Sequence, residues 1–277
     1  MTKQLNIFPL MKKYGIKPKK SLGQNFLIEP AGLNKVIDAA QLQAEDEVLE
    51  IGAGLGSLTY LLAQSVRQVV AVEIDKAVLP PLREALTNFE NVQIIEGDIL
   101  EKNPDELMQG KDYVVVANIP YYISSAIIRH LMEAANRPKR VVLTVQKEVA
   151  ERVIARDGKM SLLSLSVQVF GQVSMAGVIP AGSFLPAPDV DSAVLKIELY
   201  PEPLIPLANE KVFFKIAHAG FSQKRKTLRN SLSGGLGISA LQVEEILAKA
   251  EINPQRRAET LTIPEWNKLT EIYLETG

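Results

Sequence analysis

Along the first two hundred residues, short apolar runs rich in β-branched side chains recur, and each closes on a polar or acidic residue. Glu47-Val48-Leu49-Glu50-Ile51 is the first, and Gln68 to Val72 closes on Glu73-Ile74-Asp75. Val92 to Ile95 closes on Glu96-Gly97-Asp98, and Tyr113-Val114-Val115-Val116-Ala117 closes on Asn118. Arg140 to Gln146 is the fifth. Runs apolar at nearly every position read as strands buried on both faces of a parallel sheet. Between them the period lengthens. One helix starts near Pro30, another follows the glycines at 52–56 and runs to about Ser65, and a third spans Ser124 to Glu133. Strands alternating with helices specify an α/β fold, here Rossmann-like. Val167 to Ile179 and Ser192 to Leu199 read as its last two strands, joined by a loop that carries Phe184.

The pattern changes at Tyr200-Pro201-Glu202-Pro203-Leu204-Ile205-Pro206, a proline-rich linker and the best domain boundary in the chain. Beyond it the apolar positions are spaced for amphipathic helices. One begins at Glu210, one at the capping box Ser239-x-x-Gln242, and one at Thr262-x-x-Glu265. The expected organisation is a basic, flexible arm over residues 1–20, an α/β domain over 21–203, and a small all-α domain over 204–277.

Composition narrows the chemistry. The chain has 277 residues, enough for a large domain and a small one. With no cysteine, disulfides, thiolate zinc sites and a cysteine nucleophile are excluded. The two histidines, His130 and His218, are far apart and read as helix-surface or core residues, so no metal site is expected. No run approaches the ~18 apolar residues of a membrane span, and the N-terminus lacks an apolar signal core. A cytoplasmic protein without a membrane partner is expected.

Net charge is −1, yet its distribution is uneven. Before Glu29 the chain carries Lys3, Lys12, Lys13, Lys17, Lys19 and Lys20 and no acid. From Lys211 to Arg229 it carries Lys211, Lys215, Lys224, Arg225, Lys226 and Arg229, again without an acid. Two such segments on a neutral chain suit phosphate contact. The alternative is a pair of solvated faces.

The strand ends carry the candidate chemistry, because open α/β sheets bind ligands at that edge. Glu50-Ile51-Gly52-Ala53-Gly54-Leu55-Gly56-Ser57 places glycines where the backbone can approach a ligand. A dinucleotide fingerprint would need its third glycine where Ser57 stands. Glu50 would repel a pyrophosphate but suits the ammonium of an amino-acid moiety. Glu73, 21 residues after Gly52, lies at the distance where an acid meets ribose hydroxyls. Asp98 can accept from an adenine amine. Together these favour S-adenosylmethionine over a nicotinamide cofactor. At the fourth strand end, Asn118-Ile119-Pro120-Tyr121 offers two outward carbonyl acceptors and a flat ring, which suit a planar group bearing an NH2 such as adenine. The plainer alternative is a polar strand end followed by a turn.

The set of motifs resembles the universal small-subunit (16S) ribosomal RNA adenine dimethyltransferases, within the rRNA adenine N6-methyltransferase family. The matching stretches are Lys20-Ser21-Leu22-Gly23-Gln24-Asn25-Phe26-Leu27, the glycine turn through Thr59, Glu73-Ile74-Asp75, Glu96-Gly97-Asp98 and Asn118 through Ile123. They continue with Gln146 through Arg152, Phe184 through Val194 and Arg225 through Leu232. The resemblance covers essentially the whole chain from about Lys17. It implies a Rossmann-like methyltransferase domain followed by a helical RNA-binding domain. It also implies cofactor contacts from Asn25, Leu27, Glu50, Gly52, Gly54, Glu73, Asp98 and Asn118. Catalysis would fall to Asn118, Ile119, Pro120 and Tyr121, with Phe184 completing an aromatic sandwich around a flipped adenine; without the family likeness, Phe184 reads better as a loop anchor in the core. Lys19, Lys20, Lys224, Arg225, Lys226 and Arg229 would contact RNA. The implied partners are small-subunit rRNA and the partly assembled small subunit, approached by a monomer. Two other functions share parts of this pattern: a large-subunit rRNA adenine methyltransferase of the antibiotic-resistance kind, and a non-catalytic RNA-binding assembly or transcription factor that kept the fold.

Overall fold

The computed structural model describes residues 4–156 and 158–276; Lys3, counted above with the basic segment, lies outside them. The chain forms strands β1 (Phe26–Leu27), β2 (Glu47–Ile51), β3 (Gln68–Glu73), β4 (Val92–Glu96), β5 (Val114–Asn118), β6 (Arg140–Gln146), β7 (Gly171–Ile179), β8 (Phe184–Leu185) and β9 (Ser192–Leu199). Its helices are α1 (Phe8–Tyr14), α2 (Pro30–Ala40), α3 (Ser57–Ala63), α4 (Leu79–Ala85), α5 (Pro104–Met108), α6 (Ser124–Glu133), α7 (Lys147–Ile154) and α8 (Leu162–Gln168). Four more follow, α9 (Glu210–Phe221), α10 (Leu228–Leu236), α11 (Ala240–Lys249) and α12 (Ile263–Thr276).

Seven strands form one sheet in the order β4-β3-β2-β5-β6-β9-β7. The first five run parallel, and β9 returns antiparallel against β6. Every residue of β2 is buried, Glu47 and Glu50 included, as a strand covered on both faces requires. The topological switch falls between β2 and β5, so the glycine turn and Asn118 leave neighbouring strand ends. A second, two-stranded sheet pairs β1 with β8 in the register Phe26↔Leu185 and Leu27↔Phe184.

The chain divides into two compact units. One comprises Met1–Ala150 with Gln172–Leu199, the other Glu151–Gly171 with Tyr200–Gly277. Three expectations are corrected here. First, the expected arm over residues 1–20 is folded where it is described: Pro9 opens α1, and Gly15 closes it in a left-handed cap. Ile7 is buried against Phe26, Leu55 and Val78, while Lys13 and the Tyr14 hydroxyl both donate to Glu84 at 2.6 Å. Second, the run from Val167 is not yet strand. Ser161 and Ser164 form a reciprocal capping box, and 162–168 folds as helix before β7 begins at Gly171. Third, the break falls after Leu199 rather than after residue 203, and 151–171 belongs with the helices. The Phe170 ring stacks on Phe214 at 6.1 Å, and Tyr200 N donates to the Phe170 carbonyl at 2.8 Å.

In the helical unit, Trp266 is fully buried and stacks on Phe221 at 5.5 Å. α9 and α10 approach so closely that a Cβ on Gly235 would lie 2.6 Å from both Cα and Cβ of Ala219. Helix propensity alone favours Gly235→Ala by ~1 kcal/mol, but the clash is with backbone and cannot rotate away. Gly235→Ala is therefore expected to destabilise by ~1–3 kcal/mol, the usual cost of overpacking. A lower urea midpoint checks this; a raised midpoint would show that the helices part freely.

Candidate active site

The sequence places short polar stretches at the C-terminal ends of β2, β3, β4 and β5, and parallel pairing brings those ends into one crevice. The glycine turn forms its floor. Gly52 and Gly54 adopt φ of +76° and +57°, a region open chiefly to glycine. A Cβ on Gly54 would also lie 3.0 Å from the Phe26 ring. A Cβ on Gly52 would lie in ordinary contact with the Asn118 carbonyl, at 3.7 Å.

Glu73 ends β3, is 5% exposed, and is committed on both oxygens. Oε2 accepts from Gly54 N at 2.7 Å, and Oε1 accepts from Asp75 N at 2.8 Å. Burial raises its pKa, and these backbone donors oppose the rise. Each oxygen keeps a further lone pair for a ligand hydroxyl. Asp98 caps a 3-10 turn by accepting from Leu100 N at 2.9 Å through Oδ1; its other oxygen has no partner among the described residues.

Glu50 is 1% exposed, and its Oε2 lacks a hydrogen-bond partner. Burial pushes its pKa up to about 8; Thr59 beside it opposes this, and the nearby Glu73 carboxylate adds to it. An orphaned carboxyl oxygen in a crevice lined by further acids and amides but by no lysine or arginine among the described residues is complementary to an ammonium group.

Asn118 closes the other wall. Its Nδ2 donates to the Asn25 carbonyl at 3.0 Å, which turns Oδ1 the other way, available as an acceptor. Ile119 is buried, and its carbonyl accepts no backbone hydrogen bond among the described residues. Pro120 sits at ψ 133°, keeping the chain extended at this point. The Tyr121 hydroxyl makes a short hydrogen bond with Ser192 Oγ on β9, and burial raises the phenol's pKa.

Asn25, Leu27, Glu50, Gly52, Gly54, Glu73, Asp98, Asn118, Ile119, Pro120 and Tyr121 all line this crevice. Phe184 does not. It is 3% exposed and packed in the core with Leu27, Leu33 and Val194, because pairing of β8 with β1 turns it inward. The expected aromatic sandwich is thus not assembled, and the loop-anchor reading describes Phe184 here. Two of the expected RNA-contacting cations are also engaged internally: Lys19 donates to Asp75 at 2.6 Å, and Arg229 is paired with Glu244. Lys20, Lys224, Arg225 and Lys226 are exposed and unpaired among the described residues.

The composition-based reading missed Asp75 and Gln24. Asp75 is 4% exposed and accepts from Lys19 Nζ and, at 2.8 Å, from Gln24 Nε2. Burial alone would raise Asp75, but these donors together with Ala77 N outweigh it and hold the carboxyl below its usual range. The two bonds tie the 19–25 loop over the crevice. Only the run of polar residues in that loop signalled it.

Fold and crevice together define a Rossmann-like, S-adenosylmethionine-dependent methyltransferase. The residues present fit that cofactor: Glu50 would meet its ammonium, Gly52 would lie beneath its amino-acid portion, Glu73 would take the ribose hydroxyls and Asp98 the adenine amine. The chain matches the ribosomal RNA adenine dimethylase family model over residues 15–273. It is 45% identical to a ribosomal RNA small subunit methyltransferase A of Dehalococcoides mccartyi (strain CBDB1), over 94% of this chain and 90% of that relative. It is 40% identical to the protein of that name in Enterococcus faecalis, over 94% of this chain and 92% of that one. Among solved structures, a dimethyladenosine transferase from Plasmodium falciparum aligns with a TM-score of 0.79 at 27% identity, covering 91% of this chain and 98% of the other. The 23S rRNA methyltransferase ErmE aligns at 0.72, also with 27% identity, covering 90% and 99%. This chain belongs to the ribosomal RNA adenine dimethylase family.

The raised pKa of Glu50 makes a pH-dependent prediction. The folded protein keeps a proton that the unfolded chain releases near pH 4.5, up to about pH 8. That contribution to stability is complete below about pH 4.5 and is lost as pH rises through 8. Glu50→Gln, isosteric with the protonated acid, should match the wild type at pH 5 in cofactor-free thermal melts. At pH 8 it should be more stable, on the order of 3 kcal/mol. Cofactor affinity should fall in the same variant by calorimetry. Equal melting temperatures at both pH values would contradict the assignment.

Proposed function

We propose that this chain transfers methyl groups to the exocyclic N6 amine of adjacent adenosines in small-subunit (16S) rRNA. In this reading it acts in the cytoplasm as a monomer, on rRNA in a partly assembled small subunit. One observation carries the chemistry: the Asn118 amide is held by the Asn25 carbonyl with its oxygen free, opposite the glycine turn. The relatives named small subunit methyltransferase A support the substrate, at 40–45% identity against 27% for the large-subunit enzyme ErmE. Intact Glu73, Asp98 and Asn118 disfavour a non-catalytic role.

S-adenosylmethionine supplies an electrophilic methyl group when bound. The adenine amine is a weak nucleophile because its lone pair is delocalised into the ring. Asn118 Oδ1 and the Ile119 carbonyl each accept one amine hydrogen, which favours a pyramidal nitrogen with a localised lone pair. Tyr121, fixed by Ser192, presents a stacking surface that offsets the few kcal/mol of unstacking a flipped base. Orientation then does most of the work. After transfer the nitrogen is acidic enough to release its proton to water.

Asn118→Ala should lower single-turnover methylation by ~10²-fold or more, as for loss of one positioned transition-state hydrogen bond, while RNA affinity hardly moves. Near-wild-type rates would end the proposal. Neutralising Lys224, Arg225 and Lys226 should flatten the salt dependence of RNA binding by ~0.7–0.9 in log–log slope per lost phosphate contact. Cofactor binding should survive. An unchanged slope would make that segment a solvated face; Arg229 is left in place because it pairs with Glu244.

A further inference from the structure

Next to Tyr121, Tyr122 is the more exposed of the two, at 66%. Large aromatic rings are seldom left so open in a short, ordered turn, and this one stands on the rim of the crevice. It is held rather than loose. A Cβ on Gly23 would lie 3.1 and 3.2 Å from Tyr122 Cδ1 and Cε1, and 3.4 Å from Pro120 Cβ. The ring thus lies against the glycine of the 19–25 loop, close enough that a Cβ there would push it back by a few tenths of an ångström. That loop is itself anchored by Gln24 to Asp75. Gly23 N donates to the Lys20 carbonyl at 3.0 Å, so Lys20, exposed and without an ion-pair partner among the described residues, lies one tight turn from the ring.

A rigid, solvent-facing aromatic plate beside a free cation on a nucleotide enzyme's rim has the composition of a subsite for one nucleotide: a base to stack and a phosphate to pair. With Phe184 in the core, Tyr122 is the aromatic available at the mouth. We infer that Tyr122 stacks the base that flanks the target adenosine, with Lys20 contacting the adjoining phosphate. This rests on the rRNA reading above. Tyr121 inside and Tyr122 outside would then part the flipped base from its neighbour. Such a division suits an enzyme that must treat two adjoining adenosines in turn, each being the other's flank.

The test uses a folded small-subunit rRNA fragment with 2-aminopurine immediately 5′ or immediately 3′ of one target adenosine, so that one of the two positions is that of its partner in the pair. Wild-type protein should quench the fluorophore at one of these positions. Tyr122→Phe should keep the quenching, because stacking needs no hydroxyl. Tyr122→Leu, which still covers Gly23 but has no π face, should lose it. Tyr122→Leu should also raise KM for RNA by ~10-fold, as for loss of one stacked base, while cofactor Kd stays within about twofold. The inference is overturned if wild type quenches at neither position, or if Tyr122→Leu quenches and methylates like wild type. It is also overturned if Tyr122→Leu mainly loses cofactor affinity, since the ring would then only latch the loop. If wild type fails to methylate small-subunit particles at all, the proposed function falls with it; methylation by wild type with an indifferent Tyr122→Leu sinks this inference alone.

Discussion

Both oxygens of Glu73 accept backbone hydrogen bonds, one from the glycine turn after β2 and one from the end of its own strand. A carboxylate this deeply buried is costly unless its lone pairs are engaged. Here those bonds serve the crevice: they fix where Gly54 sits, and with it the floor of the site. The neighbouring Asp75 does the same for the roof, because Lys19 and Gln24 bind it from the 19–25 loop. One strand end therefore governs both surfaces between which a ligand must fit. Asn25, next in that loop, then sets the Asn118 amide. Floor, roof and the Asn118 amide are thus set by connected hydrogen bonds.

Glu50 stands outside that chain. It is buried as deeply as Glu73 but has an oxygen with nothing to accept from. Two carboxyl groups on adjacent strands, in a site with no cation of the protein's own, are poised for a positively charged ligand. Without one, burial, and to a lesser degree the Glu73 carboxylate, raises the Glu50 pKa to about 8. An ammonium in the crevice would bring that pKa down, so cofactor binding near neutral pH should release a proton from Glu50.

Much of this was legible in the sequence because strand ends are local. An unbroken apolar run followed by an acid or an amide marks where a parallel strand emerges, and parallel pairing makes those ends converge. What failed was non-local. Nothing near Phe184 says that β8 will pair with β1 and turn the ring inward. The acids that engage Lys19 and Arg229 are Asp75 and Glu244, the first on a different strand end and the second on another helix. Basic segments without an internal acid therefore looked freer than they are. The misread start of β7 has a local cause: Ser161 is capped by Ser164 instead of Glu or Gln, so the apolar residues after it resembled a strand.

Which cations remain free bears on how the enzyme selects its substrate. Of the six basic residues expected to meet RNA, Lys20, Lys224, Arg225 and Lys226 remain exposed and unpaired, one beside the crevice and three in the helical unit. Phosphate contacts of this kind fix position and carry little base information. The crevice, in the proposed reading, would recognise an amine and a flat ring, which any adenosine offers. Neither element alone can tell one adenosine of an rRNA from another. Selectivity must then come from the spacing between phosphates and an extrudable base, which is a property of folded RNA rather than of a short sequence.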